Sequence, residues 1–124
     1  MIEEAITSVL YKINDEVFHL KIPADATLPA ITWRLVNESN DDETLDQTAG
    51  RKVVVQISAV AKSARESSAL AKTIRKSLKD ETGTYGDITF SLIKERQTIP
   101  DFSGDPDRHS KIIDFNFHYG EDND

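Results

Sequence analysis

Several features are scarce or missing in this 124-residue chain, and each absence excludes a class of protein. Cysteine is absent, which excludes disulfides, thiol nucleophiles and thiolate zinc sites and fits a reducing compartment. No apolar run approaches the roughly 20 residues that span a bilayer. The N-terminus carries acidic residues where a signal peptide carries basic ones. We therefore expect a soluble intracellular protein with no membrane contact.

Positive charge is in deficit. The chain has 15 lysines and arginines against 22 acidic residues, which gives a net charge of −7. This balance argues against nonspecific binding to phosphate backbones, because such binding requires clustered lysine and arginine. The length is typical of one domain. We expect a single domain over residues 1–119, followed by a disordered tail at 120–124.

Two segments have helical periodicity. Apolar residues recur every three or four positions over residues 2–12, with acidic residues in the first turn, and predict a first helix. A capping box formed by Ser63 and Glu66 predicts the start of a second helix that ends near Lys79. The predicted inner stripe of this second helix is Ala64, Ser67, Leu70, Ala71, Ile74 and Leu78.

Five segments alternate in polarity, as expected for half-buried strands. They cover residues 18–22, 29–36, 52–60, 88–96 and 111–119, and the first is predicted to be a short edge strand. In the first, Phe18, Leu20 and Ile22 form the predicted apolar face. The order of helices and strands predicts an α+β fold, with a mainly antiparallel sheet of about four to five strands and two helices packed on one face.

Two polar stretches interrupt these elements. Residues 37–50 are acidic and nearly free of large apolar groups, so we expect a mobile hairpin tip there. Residues 97–110 are predicted to be a long loop, and long loops in compact domains are usually functional or disordered. Ile99 and Phe102 are large apolar residues within this loop. They either fold back over their own sheet or insert into a second subunit, as aromatic anchors do at interfaces.

The loop over residues 101–109 is also the best place to look for catalysis. Its oxygen side chains alternate as in a calcium loop, but the glycine is misplaced and the closing carboxylate is missing. The alternative interpretation is nevertheless a small metal-dependent hydrolase that uses Asp101, Asp107 and His109. We favour a protein that has no catalytic residues, no metal site and no cofactor.

The second helix carries the main cluster of basic residues: Lys62, Arg65, Lys72, Arg75, Lys76 and Lys79. A solvated helix face explains such a cluster most simply. A sharper interpretation is an electrostatic partner for an acidic surface, such as residues 38–46 of a neighbouring copy. A nucleic-acid-binding module that uses this helix is a further alternative, although the net charge opposes it.

Taken in order, five motifs resemble those of one family. They are Met1-Ile-Glu-Glu-Ala5, Leu28-Pro-Ala-Ile-Thr-Trp33, Val53-Val-Val-Gln-Ile-Ser58, Ala64-Arg-Glu-Ser-Ser-Ala-Leu-Ala-Lys-Thr-Ile-Arg75 and Ile113-Asp-Phe-Asn-Phe-His-Tyr119. The chain resembles the tail-completion proteins of long-tailed bacteriophages, which are also called tail-to-head joining or tail terminator proteins. It departs from them in residues 37–50, which are unusually acidic here.

The resemblance implies a non-enzymatic structural protein of the virion tail, assembled in the cytoplasm of the bacterial host. Such a protein forms a hexameric ring with copies of itself, stops the growth of the tail tube and joins it to the head connector or stopper. DNA would pass through the ring without specific binding. The candidate interface residues are Glu38, Asp41, Asp42, Glu43, Asp46, Arg65, Lys72, Arg75, Lys76, Ile99, Phe102, Asp105 and Arg108.

Overall fold

The chain folds into one six-stranded sheet and two helices. The computed structural model describes residues 2–40, 51–79, 82–86, 88–101 and 108–121. The elements are α1 (Ile2–Tyr11), β1 (Val17–His19), β2 (Ala30–Asn40), β3 (Arg51–Ala61), α2 (Ala64–Leu78), β4 (Gly83–Tyr85), β5 (Ile88–Asp101) and β6 (His109–Glu121). The sheet order is β1-β2-β3-β6-β5-β4; β1 is parallel to β2 and the other pairs are antiparallel. The predicted α+β class is confirmed, with one strand more than expected.

The inner face of the sheet carries the core. From Val53 to Ala61, alternate residues of β3 point to this face, because strand side chains alternate at period two, and all of them are fully buried. The neighbouring strands add aromatic rings, among which Phe117 makes edge contacts with Phe90 and Phe115. The strand residues of this core include Ile31, Trp33, Val53, Val55, Ile57, Ala59, Phe90, Ile113, Phe115 and Phe117. The alternation predicted for residues 29–36, 52–60 and 111–119 is confirmed, and the apolar residues of these strands form the inner face.

Both helices pack against this same cluster. The apolar stripe of α1 is buried as predicted, from Ile2 through Leu10. In α2 the Ser63 side chain accepts a hydrogen bond from the Glu66 backbone amide at 3.1 Å, so the predicted N-cap is confirmed. Ala64 is exposed, contrary to the predicted stripe. The buried stripe begins one turn later at Ser67, where the Ser67 hydroxyl donates to the Ala59 carbonyl at 2.8 Å.

The sheet curls around the helix layer. Helix α1 contacts β1 and β4, which are the two opposite edge strands. Just beyond α1, the Lys12 ammonium donates to the Tyr85 hydroxyl of β4 at 2.6 Å and lies 4.8 Å from its ring centroid. The two edges of the sheet are therefore fastened to one helix. Neither of the helices that the structure describes is long and apolar enough to cross a membrane.

The predicted loop at 97–110 is wrong over much of its length. Strand β5 continues to Asp101 and β6 begins at His109, so Thr98 lies opposite Ile113 and Asp101 opposite Ser110. Within this stretch Gln97 and Thr98 have side-chain hydrogen-bond partners on β6 and α2, as described below. Residues 102–107 lie outside the described part of the chain.

Other boundaries also differ from the prediction. Strand β1 ends at His19, because Leu20 adopts a φ of 72° and is 66% exposed, and the buried residue of β1 is Val17. The predicted apolar face of Phe18, Leu20 and Ile22 is therefore wrong. Strand β4 was not predicted, since three residues are too few to show an alternating pattern.

Two strands extend into the predicted hairpin tip at 37–50 and the predicted tail at 120–124. Strand β2 runs to Asn40, opposite Arg51, so only residues 41–50 of the predicted tip lie outside the described chain. Strand β6 runs to Glu121, opposite Ile88, and residues 122–124 lie outside. The assignment of a single domain to residues 1–119 stays a prediction.

Candidate interaction surfaces

A groove of about 500 Å³ runs between the C-terminal end of α2 and strand β5. It is lined by Arg75, Lys76, Lys79, Leu92, Ile93, Lys94, Glu95 and Phe115. The lining therefore combines four basic side chains and one acidic side chain with apolar groups. Positive charge is concentrated here, although the whole chain has a net charge of −7.

One wall of the groove is an open strand edge. Strand β4 pairs only with residues 88–90 of β5, and no strand in the described chain pairs with the outer edge of β5 beyond Phe90. Register shifts between Phe90 and Leu92 and between Glu95 and Gln97 mark bulges on either side of residues 92–95. These four residues are regularly paired with β6 and line the groove.

Arg75 is positioned by its neighbours on β5. Its guanidinium Nη1 donates to the Thr98 hydroxyl at 3.1 Å, and that hydroxyl donates to Glu95 Oε2 at 2.8 Å. The predicted interface cations Arg75 and Lys76 therefore lie at the groove. Arg65 and Lys72 are exposed on α2 outside its lining.

The outer face of the sheet carries a row of polar side chains across four strands. Asp114 is only 6% exposed and accepts hydrogen bonds from two amides, Gln56 Nε2 at 3.2 Å and Gln97 Nε2 at 2.8 Å. Gln56 Oε1 accepts in turn from Arg34 Nε at 2.9 Å. The row follows the strand register, since Arg34 lies opposite Gln56, and Gln56 and Gln97 both lie opposite Asp114. These bonds satisfy the buried carboxylate.

Two other predicted interface residues lie near the end of the β5–β6 hairpin. Ile99 is 40% exposed and lies opposite Ile112. The Arg108 guanidinium Nη2 donates to the carbonyls of Pro23 and Ala24 at 3.1 and 2.9 Å. Arg108 therefore ties the start of β6 to the segment between β1 and β2.

The acidic candidates lie mainly beyond the described residues. Glu38 is in β2, opposite Val53. The candidates Asp41, Asp42, Glu43, Asp46, Phe102 and Asp105 lie outside the part of the chain that the structure describes.

The residues of the catalytic alternative are Asp101, Asp107 and His109. Within the described ranges, no three His, Asp or Glu side chains come together in a way that could hold a metal ion. Asp101 and His109 sit at the ends of β5 and β6, while Asp107 lies outside the described chain.

Sequence reasoning missed several residues of these surfaces. In the sequence Lys94 is one polar position of an alternating strand, and its place beside the helix cations depends on tertiary packing. Asp114 gives no distinct signal in the sequence, because it occupies a polar position of an alternating strand, as Asn116 and His118 do. Its glutamine partners come from distant strands and carry no local signal.

The chain is similar to known proteins in sequence and in structure. The family described as Tail completion protein gp17 matches residues 3–119. Among solved structures, a chain from "Virion of native gene transfer agent (GTA) particle" superposes with a TM-score of 0.59 at 15% sequence identity. The match covers 91% of this chain and 85% of that chain, and it shows a shared fold. The search of curated proteins found no match. Because the family match spans nearly the whole sequence, the chain belongs to the tail completion protein gp17 family, which consists of structural components of the bacteriophage tail.

Proposed function

We propose that this protein forms a hexameric ring that ends the tail tube and joins it to the head connector or stopper. The observation that carries this proposal is the family match over residues 3–119. We further propose that the protein is not an enzyme, that it assembles in the host cytoplasm and that residues 1–119 act as one domain.

The placement of the two long hairpins supports a joining role. The β2–β3 hairpin ends where Arg51 lies opposite Tyr119, and the β5–β6 hairpin ends where Asp101 lies opposite Ser110. These positions are at opposite ends of β6, separated by about 30 Å at roughly 3.3 Å per residue. A subunit with contact segments at both ends of its sheet suits a joint between two different partners. We propose that residues 38–46 and 98–108 make the contacts with neighbouring subunits or with the tail tube.

The charge of the chain supports passage of DNA through such a ring. A net charge of −7 on each subunit repels the phosphate backbone, so a ring of these subunits would not hold DNA by nonspecific electrostatic attraction. We propose that DNA passes through without specific binding.

The direct test combines light scattering with negative-stain imaging, with and without purified tail tubes. We expect hexameric rings, either free or capping tube ends. Two variants locate the contacts: one replaces residues 41–50, and the other replaces residues 102–107, each with a short glycine-serine turn. Each variant should keep the circular dichroism of the parent and lose ring formation or head joining.

Two results would contradict these proposals. A protein that remains monomeric and leaves tube ends uncapped would contradict the ring. Normal assembly by both folded variants would contradict the assignment of contacts to the hairpin ends.

A further inference from the structure

The groove between α2 and β5 has a composition that the core of the fold does not require. Lys76, Lys79 and Lys94 are exposed at the groove, whereas Ile93 and Phe115 beneath them are almost fully buried. Basic side chains beside an apolar floor can accept a ligand that is both acidic and aliphatic. A purely apolar or purely acidic partner would match only part of this lining.

The open edge of β5 adds a shape to this chemistry. Residues 92–95 are regularly paired on one side and carry no paired strand on the other among the described residues. Four residues of strand offer about 13 Å of edge at roughly 3.3 Å per residue. An extended peptide can add to such an edge through main-chain hydrogen bonds, while side-chain pockets supply specificity. The fitting ligand is therefore a short extended segment.

A segment of this chemistry exists in the chain itself. Residues 41–46 read Asp-Asp-Glu-Thr-Leu-Asp, with four carboxylates around the aliphatic Leu45. This segment directly follows β2, which pairs with β3 as far as Asn40. Its four negative charges complement the net positive charge of the groove lining.

We propose that the groove binds residues 41–46 of a second copy of this chain, extended along residues 92–95. The four carboxylates of this segment complement the lysines at the groove, and Leu45 supplies the aliphatic group that matches the apolar part of the lining. This inference rests on the proposed ring, in which each subunit would offer one segment and accept another. Such head-to-tail contacts close into a ring when the rotation between subunits permits.

Cross-linking between two different chains tests the contact. The protein has no cysteine, so single cysteines can be placed without background. A tagged Leu45→Cys chain and an untagged Leu92→Cys chain are mixed, assembled on tail tubes and treated with a short bismaleimide. A tagged–untagged dimer can arise only between copies. As the control, Leu20→Cys replaces Leu92→Cys on the untagged chain; Leu20 is an exposed position after β1 at the opposite sheet edge. The 45–92 yield should exceed the control yield by about tenfold.

Charge reversal supplies an independent control. Lys76→Glu with Lys79→Glu on the Leu92→Cys chain should lower the cross-linked yield by about tenfold, because attraction becomes repulsion. Reversal of the exposed Lys21 and Lys62, which lie outside the groove lining, should leave the yield unchanged. Glu43→Lys with Asp46→Lys on the tagged chain should restore cross-linking to the reversed groove.

The outcomes separate this contact from the proposed function. Capped tubes without a 45–92 cross-link would overturn the docking and leave the ring standing. A chain carrying both cysteines that cross-links only within itself would overturn the second copy as occupant. Cross-linked dimers without rings on tubes would support the docking and contradict the ring.

Discussion

The two faces of the central sheet are built on different principles, although they share the same strands. On the inner face, Val55, Ile57 and Phe117 are fully buried under the helices and contribute apolar area. On the outer face, Gln56 and Asp114 alternate with those residues and form hydrogen bonds across strands. The inner face gains stability from burial without directional bonds, whereas the outer face gains cross-strand order from directional bonds.

This difference predicts how each face responds to substitution. A close-packed interior is sensitive to lost volume, because the surrounding side chains relax only partly around a cavity. A hydrogen-bonded row is sensitive to a lost partner, because a buried polar group then remains unsatisfied. The four variants below run from the largest expected effect on stability to the smallest.

The inner face should be most sensitive at Phe117. Its ring centroid lies 5.3 Å from that of Phe90 and 6.3 Å from that of Phe115. We expect Phe117→Ala to lower the free energy of unfolding by about 3–5 kcal/mol through lost burial and a cavity. Urea denaturation followed by circular dichroism measures this, with Ile99→Ala on the 40% exposed Ile99 as the matched control. Equal losses in both variants would remove the distinction between the faces.

The outer face should be most sensitive at Asp114. Asp114→Ala removes the carboxylate that accepts from both glutamine amides, and we expect a loss of about 1.5–3 kcal/mol in the free energy of unfolding, the range for hydrogen bonds to a charged group. Asp114→Asn is the control, because its amide keeps an acceptor and can still pair with both glutamines if one of them turns over. The same denaturation experiment should place the asparagine variant between alanine and the parent. A stability for Asp114→Ala equal to that of the parent would contradict a structural role for the row.

A polar contact also exists under the helices, and it sharpens the comparison. The hydroxyl of Ser67, which is 1% exposed, donates to the Ala59 carbonyl at 2.8 Å. We expect Ser67→Ala to cost about 0.5–1.5 kcal/mol, the typical net contribution of one neutral hydrogen bond. Thermal unfolding by calorimetry measures the change, and Ser77→Ala on the exposed side of α2 is the matched control. A loss as large as that of Phe117→Ala would argue that directional bonds also dominate the inner side.

The smallest effect on stability is expected at the rim of the groove. Lys76→Glu combined with Lys79→Glu should change the free energy of unfolding by less than about 0.5 kcal/mol per site, because both side chains are exposed. Capping of tail tubes should nevertheless fall, as scored by negative-stain imaging. Full capping by the stable double variant would show that the groove charges are not needed for assembly.

Elements with a strong local pattern were predictable from the sequence. The apolar stripe of α1 and the alternation of β3 each indicate which side of the element is buried. The N-cap is predictable because the Ser63 hydroxyl lies three residues before Glu66, whose amide it accepts from. The outer half of the β5–β6 hairpin was not predictable. There the consecutive residues Gln97 and Thr98 point to opposite faces of the sheet and are both polar, so no alternation of polarity marks the strand. Their partners, Asp114 and Arg75, belong to β6 and α2.

The interface residues divide in the same way. The basic cluster on α2 is visible in the sequence, but it contains six positions that periodicity alone cannot rank. Tertiary packing places Arg75, Lys76 and Lys79 at the groove and adds Lys94 from β5. Arg108, predicted as an interface residue, forms hydrogen bonds within its own subunit to Pro23 and Ala24.

By itself the sequence determined the two helices, most of the strands, the alternation of β2, β3 and β6, and a resemblance that the family match confirmed. These features follow from periodicity and residue order, which are local properties of the chain. Only the tertiary structure decided the strand order, the length of the β5–β6 hairpin, the row around Asp114 and the groove. The physical reason is that each of these depends on hydrogen bonds or contacts between residues that are far apart in sequence.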